Sequence, residues 1–305
     1  MSSLSAAPVL PPRPAKGESV LVSRLAGAVE RVVPLLPVVW LALFFVTPLV
    51  FTIIYAFATS TFGGVELGFT LTNFSQALSG FYLHIFLHTL VFAASGTLEA
   101  LIVGLPLAYV LGRKAGRFKL PLMILVLVPY WTSFLLRTLS WQTLLAPGGA
   151  VQGLLNFLHL HSGQLNWIDT NKAVGIGLVY GYLPLMVVPL FIAFDRIPDE
   201  VVEASKDLGA GRFKTFINVT LPMARPGVAT AVLLTFVPMT GEFVIPALLG
   251  GAKGVLMGGL ISSQYLGAAD YPLGSAMAVL VMAVIGLVLI VFARTTRGFE
   301  EIGAA

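Results

Sequence analysis

The chain has no cysteine, which excludes disulfides, thiolate metal sites and a cysteine nucleophile. Charge is nearly as scarce. Only 10% of the 305 residues are Asp, Glu, Lys or Arg, against about 25% in an average soluble domain, while 57% are hydrophobic. That leaves too little polar surface to cover a globule, so the solvent that fits the composition is lipid. No Gly-Lys dipeptide occurs, and with it a Gly-Lys-Ser/Thr phosphate loop is excluded. The serines lie in no Gly-x-Ser-x-Gly elbow and have no local His/Asp constellation. His84 and His88 are spaced i, i+4, but no neighbouring carboxylate pair completes a metal site, and the same holds for His159 and His161. No enzyme site and no metal site emerge.

Long apolar runs are abundant. About 20 apolar residues carry an α-helix across the hydrocarbon core. Six runs reach that length: 33–57, 88–111, 120–143, 174–194, 227–249 and 272–293. The expected architecture is an all-α integral membrane protein with six transmembrane helices. Pro48, Pro106, Pro129, Pro184, Pro189 and Pro238 interrupt the runs and predict a kinked, closely packed bundle. Gly177 and Gly181 form a GxxxG face in the fourth helix, suited to close approach. Residues 1–31 are rich in Pro, Ala and Ser and predict a disordered tail. The membrane domain then covers 32–297, with a second tail at 298–305.

A net charge of +4 raises nucleic acid as a partner, but the basic residues follow membrane topology instead. The N-terminal tail holds Arg13, Lys16, Arg24 and Arg31, and the 112–119 turn holds Arg113, Lys114, Arg117 and Lys119. The 195–225 loop holds Arg196, Lys206, Arg212, Lys214 and Arg225, and the C-terminal end holds Arg294 and Arg297. The opposite side has Lys172 and Lys253, with Arg137 at a helix end. By the positive-inside rule both termini and the 195–225 loop are cytoplasmic. The outward loops are then 58–87, 144–173 and 250–271. In the middle one Val151, Leu154, Leu155 and Leu158 are spaced as an amphipathic surface helix.

The 195–225 loop is the unusual segment. Ile197-Pro198-Asp199-Glu200 reads as a helix start, with proline in the first turn and acids against the positive dipole end. Val201, Ala204, Ser205 and Leu208 share one face, and Gly209 and Gly211 are candidate stops. A short helix with a small-residue face can enter a partner's groove; a helix lying on lipid headgroups fits the same pattern.

The run Glu203-Ala204-Ser205, with Gly209 and Leu221-Pro222, resembles the Glu-Ala-Ala signature of ABC importer permeases. Ser205 stands where the second alanine is usual, and Val219 where an isoleucine precedes the Leu-Pro. Three further stretches are similar to the spermidine/putrescine permease group: Val128 to Arg137, Tyr182 to Pro189 and Gly241 to Gly251. The likeness extends over residues 35–295. It implies a type I ABC importer permease fold, with a cytoplasmic coupling helix between helices 4 and 5. It also implies a bacterial inner-membrane subunit that pairs with a second homologous permease, two ATP-binding subunits and a periplasmic substrate-binding protein. Glu203, Ala204, Ser205, Leu208 and Gly209 would meet the ATPase. ATP and Mg would be bound by the partner subunits, with no cofactor in this chain. The implied cargo is a polyamine, with an amino-acid derivative, an opine or an aminophosphonate as the alternative.

An ionisable group at the centre of a span costs about 2.5–3.5 kcal/mol on insertion scales, so each needs a reason. Glu242 falls in the outer half of the fifth run, Glu99 near the middle of the second and Arg137 near the outer end of the third. A polyammonium cargo needs anionic and aromatic partners once stripped of water. Glu242 with Tyr130 and Trp131, and Glu99, are therefore the candidate pathway residues. The structural alternatives are a Glu242–Arg137 pair, a protonated and hydrogen-bonded Glu99, and aromatics of the interfacial belt. An ion-driven transporter would show internal repeats and more intramembrane acids, and an intramembrane enzyme would show a clustered nucleophile, base or metal set.

Overall fold

The computed structural model describes residues 33, 35–61, 64–160, 167–251 and 254–303, with side chains to 294. The expected tail at 1–31, His161 and Lys253 lie outside the described residues. The chain divides into two units, Met1–Thr52 and Ile53–Ala305. The first carries most of helix α1 (Leu35–Ala56), which includes a π-helical stretch at Ala42–Val46. Trp40, Phe44 and Phe45 are exposed, as are Leu41 and Leu43 between them. A helix that is apolar all round is a membrane span.

The second unit opens with a small antiparallel hairpin of β1 (Thr59–Thr61) and β2 (Gly64–Glu66), Thr59 lying opposite Glu66. A short helix α2 (Thr72–Ala77) follows. Its buried Asn73 donates to the carbonyls of Ala56 and Ala58, at 3.0 and 2.7 Å, satisfying backbone groups at the end of α1. Then comes α3 (Gly80–Arg113), continuous through Pro106 and longer than the predicted 88–111 run. The third run is a bent pair, α4 (Gly116–Trp131) and α5 (Phe134–Leu145), meeting at 91°. The extended backbone of Thr132 makes the break, three residues beyond Pro129.

After the surface helix α6 (Ala150–Phe157) comes α7 (Asn171–Asp195), again unbroken at Pro184 and Pro189. Thr170 caps α7 by accepting from the Ala173 N–H. The short α8 (Asp199–Asp207) leads to a second bent pair, α9 (Arg212–Met223) and α10 (Arg225–Thr240), at 69°. The predicted 227–249 span does not hold as one helix. It stops at Thr240, and Val244–Leu249 forms a separate helix, α11. Then follow α12 (Met257–Ser263) and the long α13 (Tyr271–Gly303). Among the described residues four helices are long and apolar enough to cross a membrane, and counting each bent pair as one span brings the number to six.

Helices α3, α7 and α10 form the central stack. Met186 packs on Gly104 and Phe194 on Gly112, so α3 and α7 run in the same direction. Met239 of α10 reaches Thr97 of α3 with a 3.7 Å contact to sulfur. In hydrocarbon, helix association rests on close packing rather than escape from water. Fully buried Ala93, Ala100, Ala108 and Ala231 line these seams accordingly. One buried cluster, around Met186, Leu190 and Phe194, sits at the end of the stack that carries Arg113 and Lys119. Another, around Leu145, Leu178 and Leu249, sits at the opposite end.

Candidate functional site

Helix α8 is built as its sequence predicts. Pro198 precedes it, Asp199 and Glu200 occupy its first turn, and Lys206 its last. Gly209, with φ +81°, ends it. The Gly209 N–H bonds to the Lys206 carbonyl at 2.8 Å and the Ala210 N–H to that of Ser205 at 3.1 Å. That is the Schellman pattern, and its left-handed residue favours glycine. Val201, Glu203 and Ala204 are exposed, and Leu208 is 90% exposed. Ser205 points inward, its hydroxyl 3.1 Å from that of buried Thr215.

The rod is fastened to the membrane stack at several points. Arg113, at the end of α3, donates to the Ile197 carbonyl and to Asp199, both at 2.6 Å. Beside the rod, Lys119 of α4 pairs with Asp195, the last residue of α7. Val202 packs on the Phe194 cluster, and Phe216 meets Tyr109 edge-on at 5.1 Å between ring centroids. These contacts join α8 and the segments beside it to α3, α7 and α9. A recess of about 480 Å³ opens beside the rod, lined by Arg113, Glu203, Arg212 and Phe213 among others.

The candidates for a cargo path do not form one cluster. Glu242 is buried in the break between α10 and α11. One carboxylate oxygen accepts the Val244 and Ile245 N–H groups, at 2.7 and 3.2 Å, and the other accepts the Tyr182 hydroxyl. Among the described residues it makes no pair with Arg137. The carboxylate caps α11 and ties it to α7. Helix α11 lies on the GxxxG face: a β-carbon at Gly177 would come within 2.6 Å of Leu249 Cδ1.

Arg137 stacks over Tyr130, its guanidinium 4.8 Å from the ring centroid, and lies 5.7 Å from that of Phe134. Its Nε and one terminal nitrogen are shielded from solvent with no hydrogen-bond partner among the described residues. One face of Tyr130 is thus filled by the chain itself, while Trp131 is 78% exposed. Glu99 is exposed on α3 and lines a cavity of about 460 Å³ with Phe92, Trp167 and Lys172. It makes neither a hydrogen bond nor an ion pair among the described residues.

Residues 104–296 match the family described as binding-protein-dependent transport system inner membrane component. The chain belongs to that family. It is a multi-pass permease subunit of the inner membrane. Over 259 residues this permease is 35% identical to the spermidine/putrescine transport system permease protein PotB of Escherichia coli (strain K12), covering 85% of the chain and 94% of the relative. The PotB of Salmonella typhimurium (strain SL1344) is 34% identical over 269 residues, 88% of this permease and 94% of its own length. The permease also superimposes on a chain of the bacterial alginate ABC transporter in complex with an alginate pentasaccharide-bound periplasmic protein. There the TM-score is 0.73 at 16% identity, covering 90% of this chain and 98% of that one. A chain of the inward-facing MetNI methionine ABC transporter gives a TM-score of 0.51 at 19% identity, over 71% and 94% of the two chains. The expected ABC importer permease fold is the fold observed.

Sequence reasoning missed Tyr182, although it begins one of the three resembling stretches. It also counted Arg113 only as a topogenic charge and passed over Trp167. None has a local pattern that announces its partner.

Proposed function

We propose that this permease subunit moves polyamines inward by alternating access. PotB relatives from Escherichia coli and Salmonella typhimurium, each matched over more than four-fifths of the chain, support that cargo. Both termini and α8 face the cytoplasm, as the fifteen basic residues of that side favour. Glu203, Ala204, Ser205, Leu208 and Gly209 form the knob that meets the ATP-binding subunits. ATP and Mg bind there, on two ATPase chains, and this subunit breaks no bond. A second, homologous permease completes the channel, and a periplasmic binding protein delivers cargo from outside. Closure of the ATPases favours one arrangement of the bundle over the other, and the difference in ATP affinity between the two drives the switch.

The observation that carries this reading is an exposed, helix-capped rod fastened to the core of the bundle by Arg113, Val202 and Phe216. Of the pathway candidates, Glu99 and Trp131 offer free surface to cargo. Glu242 serves the path by holding α11, and Tyr130 by holding Arg137. One observation favours another solute of the same importer class. The unbonded nitrogens of Arg137 suit an anionic group such as the carboxylate of an amino-acid derivative or opine, or a phosphonate.

The test is purification of the tagged subunit with its complex, followed by reconstitution with the binding protein. An ATP-hydrolysing chain that co-purifies and crosslinks through a cysteine at position 208, with uptake of labelled putrescine or spermidine, is the expected result. Absence of that crosslink removes the coupling assignment. ATPase stimulation by an anionic solute and not by polyamines removes the cargo.

A further inference from the structure

Two carboxylates lie within the predicted spans, and their surroundings differ. Glu242 is fully engaged by Tyr182 and two backbone N–H groups. Glu99, the twentieth residue of α3, stands in a cavity without a partner among the described residues. An unpaired carboxylate at that depth in a span is costly, and such residues mark paths for charged cargo.

The cavity lies between the middle of α3 and the start of α7. At about 460 Å³ it falls within the range of small-molecule pockets. Phe92 and Trp167, both half-buried, give it aromatic walls. Ser95 spends its hydroxyl hydrogen on the Phe92 carbonyl at 2.9 Å, so its oxygen is left as an acceptor. Carboxylate, aromatic faces and hydroxyl oxygen are the groups that receive an alkylammonium. An anionic ligand would meet the Glu99 charge and is disfavoured.

Lys172 lines the same cavity without pairing to Glu99. It lies one helical turn before Gly175, whose β-carbon would sit 3.6 Å from a Glu99 carboxylate oxygen. A fixed cation there weakens the attraction of Glu99 for another cation. Transport needs such weakening, because a subsite that holds cargo tightly does not release it.

We infer that this cavity is a transient ammonium subsite, with Glu99 as counter-charge, Phe92 and Trp167 as its wall and Lys172 as the group that keeps binding weak. The inference rests on the polyamine reading. The test uses the complete importer with Glu99→Gln, Glu99→Asp and Lys172→Gln. It reads cargo moved per ATP hydrolysed, and labelled spermidine retained on the complex once the binding protein is removed. Glu99→Gln is expected to lower both by about tenfold or more, the size of a lost charged hydrogen bond. Glu99→Asp restores part of each. Lys172→Gln raises retention and slows uptake, an opposite sign that a folding defect does not produce. Retention and cargo per ATP within twofold of wild type in Glu99→Gln, or lowered retention in Lys172→Gln, overturns the subsite and leaves the polyamine reading standing. A wild-type complex that takes up no polyamine overturns both.

Discussion

Tyr182 donates its hydroxyl to Glu242 across sixty positions of chain, and both are buried. This bond joins α7 to the turn that launches α11, so one carboxylate holds the two helices together. Loss of a buried hydrogen bond that strands its partner costs about 1–3 kcal/mol. Tyr182→Phe should destabilise the subunit by that amount. Glu242→Gln should cost less, because its amide carbonyl still accepts from Val244 and Ile245 and its NH₂ can donate to the Tyr182 oxygen. Glu242→Ala removes all three bonds and should cost most. Thermal unfolding midpoints of the purified complex in detergent check the order. Equal midpoints for Tyr182→Phe and wild type would show that the backbone bonds suffice.

The GxxxG face supports a second prediction. A β-carbon at Gly177 would lie 2.6 Å from Leu249 and 2.8 Å from Ile245, so these side chains of α11 must give way to admit it. Overpacking of this kind costs about 1–3 kcal/mol. Gly177→Ala should lower stability within that range, whereas Gly153→Ala, in α6 with open space around it, should be neutral or stabilising by up to about 1 kcal/mol. The same unfolding assay compares the two. Similar losses in both would refute the assigned contact.

The parts of the molecule legible in sequence are those set by local chemistry. Hydropathy marked the four long helices and both bent pairs, though not their ends, because lipid demands an apolar surface wherever the contact falls. Pro198, the two acids and Gly209 gave α8, since caps and stops act within a turn. The break at Gly241-Glu242-Phe243 was hidden inside an apolar run long enough to cross, and one partner of its Glu242 is Tyr182 on another helix. The prolines misled about bends: α3 and α7 pass through theirs, while Thr132 and Ala224 mark the two sharp turns. Arg113 read as a topogenic charge because its target, the Ile197 carbonyl, is a backbone group with no signature.

Arg113 supplies a third prediction. Asp199 is 82% exposed in its side chain, so its ion pair is worth little, about 0–1 kcal/mol. The bond to the Ile197 carbonyl matters more, because Ile197 is 5% exposed and water is a poor substitute there. Asp199→Asn should leave uptake near wild type. Arg113→Met should loosen α8 from α3, so that ATP hydrolysis persists while cargo moved per ATP falls several-fold. Parallel uptake and ATPase measurements on one reconstituted sample read the ratio. An unchanged ratio in Arg113→Met would show that Phe216 and Val202 transmit the motion without it.

Gly209 closes the end of the rod, and its backbone conformation is open to a direct test. Its φ of +81° is strained for any L-residue, by about 1–2 kcal/mol for alanine. Relief comes from unwinding the last turn, which breaks the Gly209–Lys206 and Ala210–Ser205 bonds and releases Ser205 from Thr215. Gly209→Ala should therefore raise amide hydrogen exchange from Lys206 to Ala210 by about tenfold, with the spans as protected as before. Gly211, whose φ is negative and whose surroundings are open, is the matched control, and Gly211→Ala should leave exchange in α8 unchanged. If both variants exchange at the wild-type rate, the Schellman end is not what holds α8 closed, and its order must come from the partner that grips it.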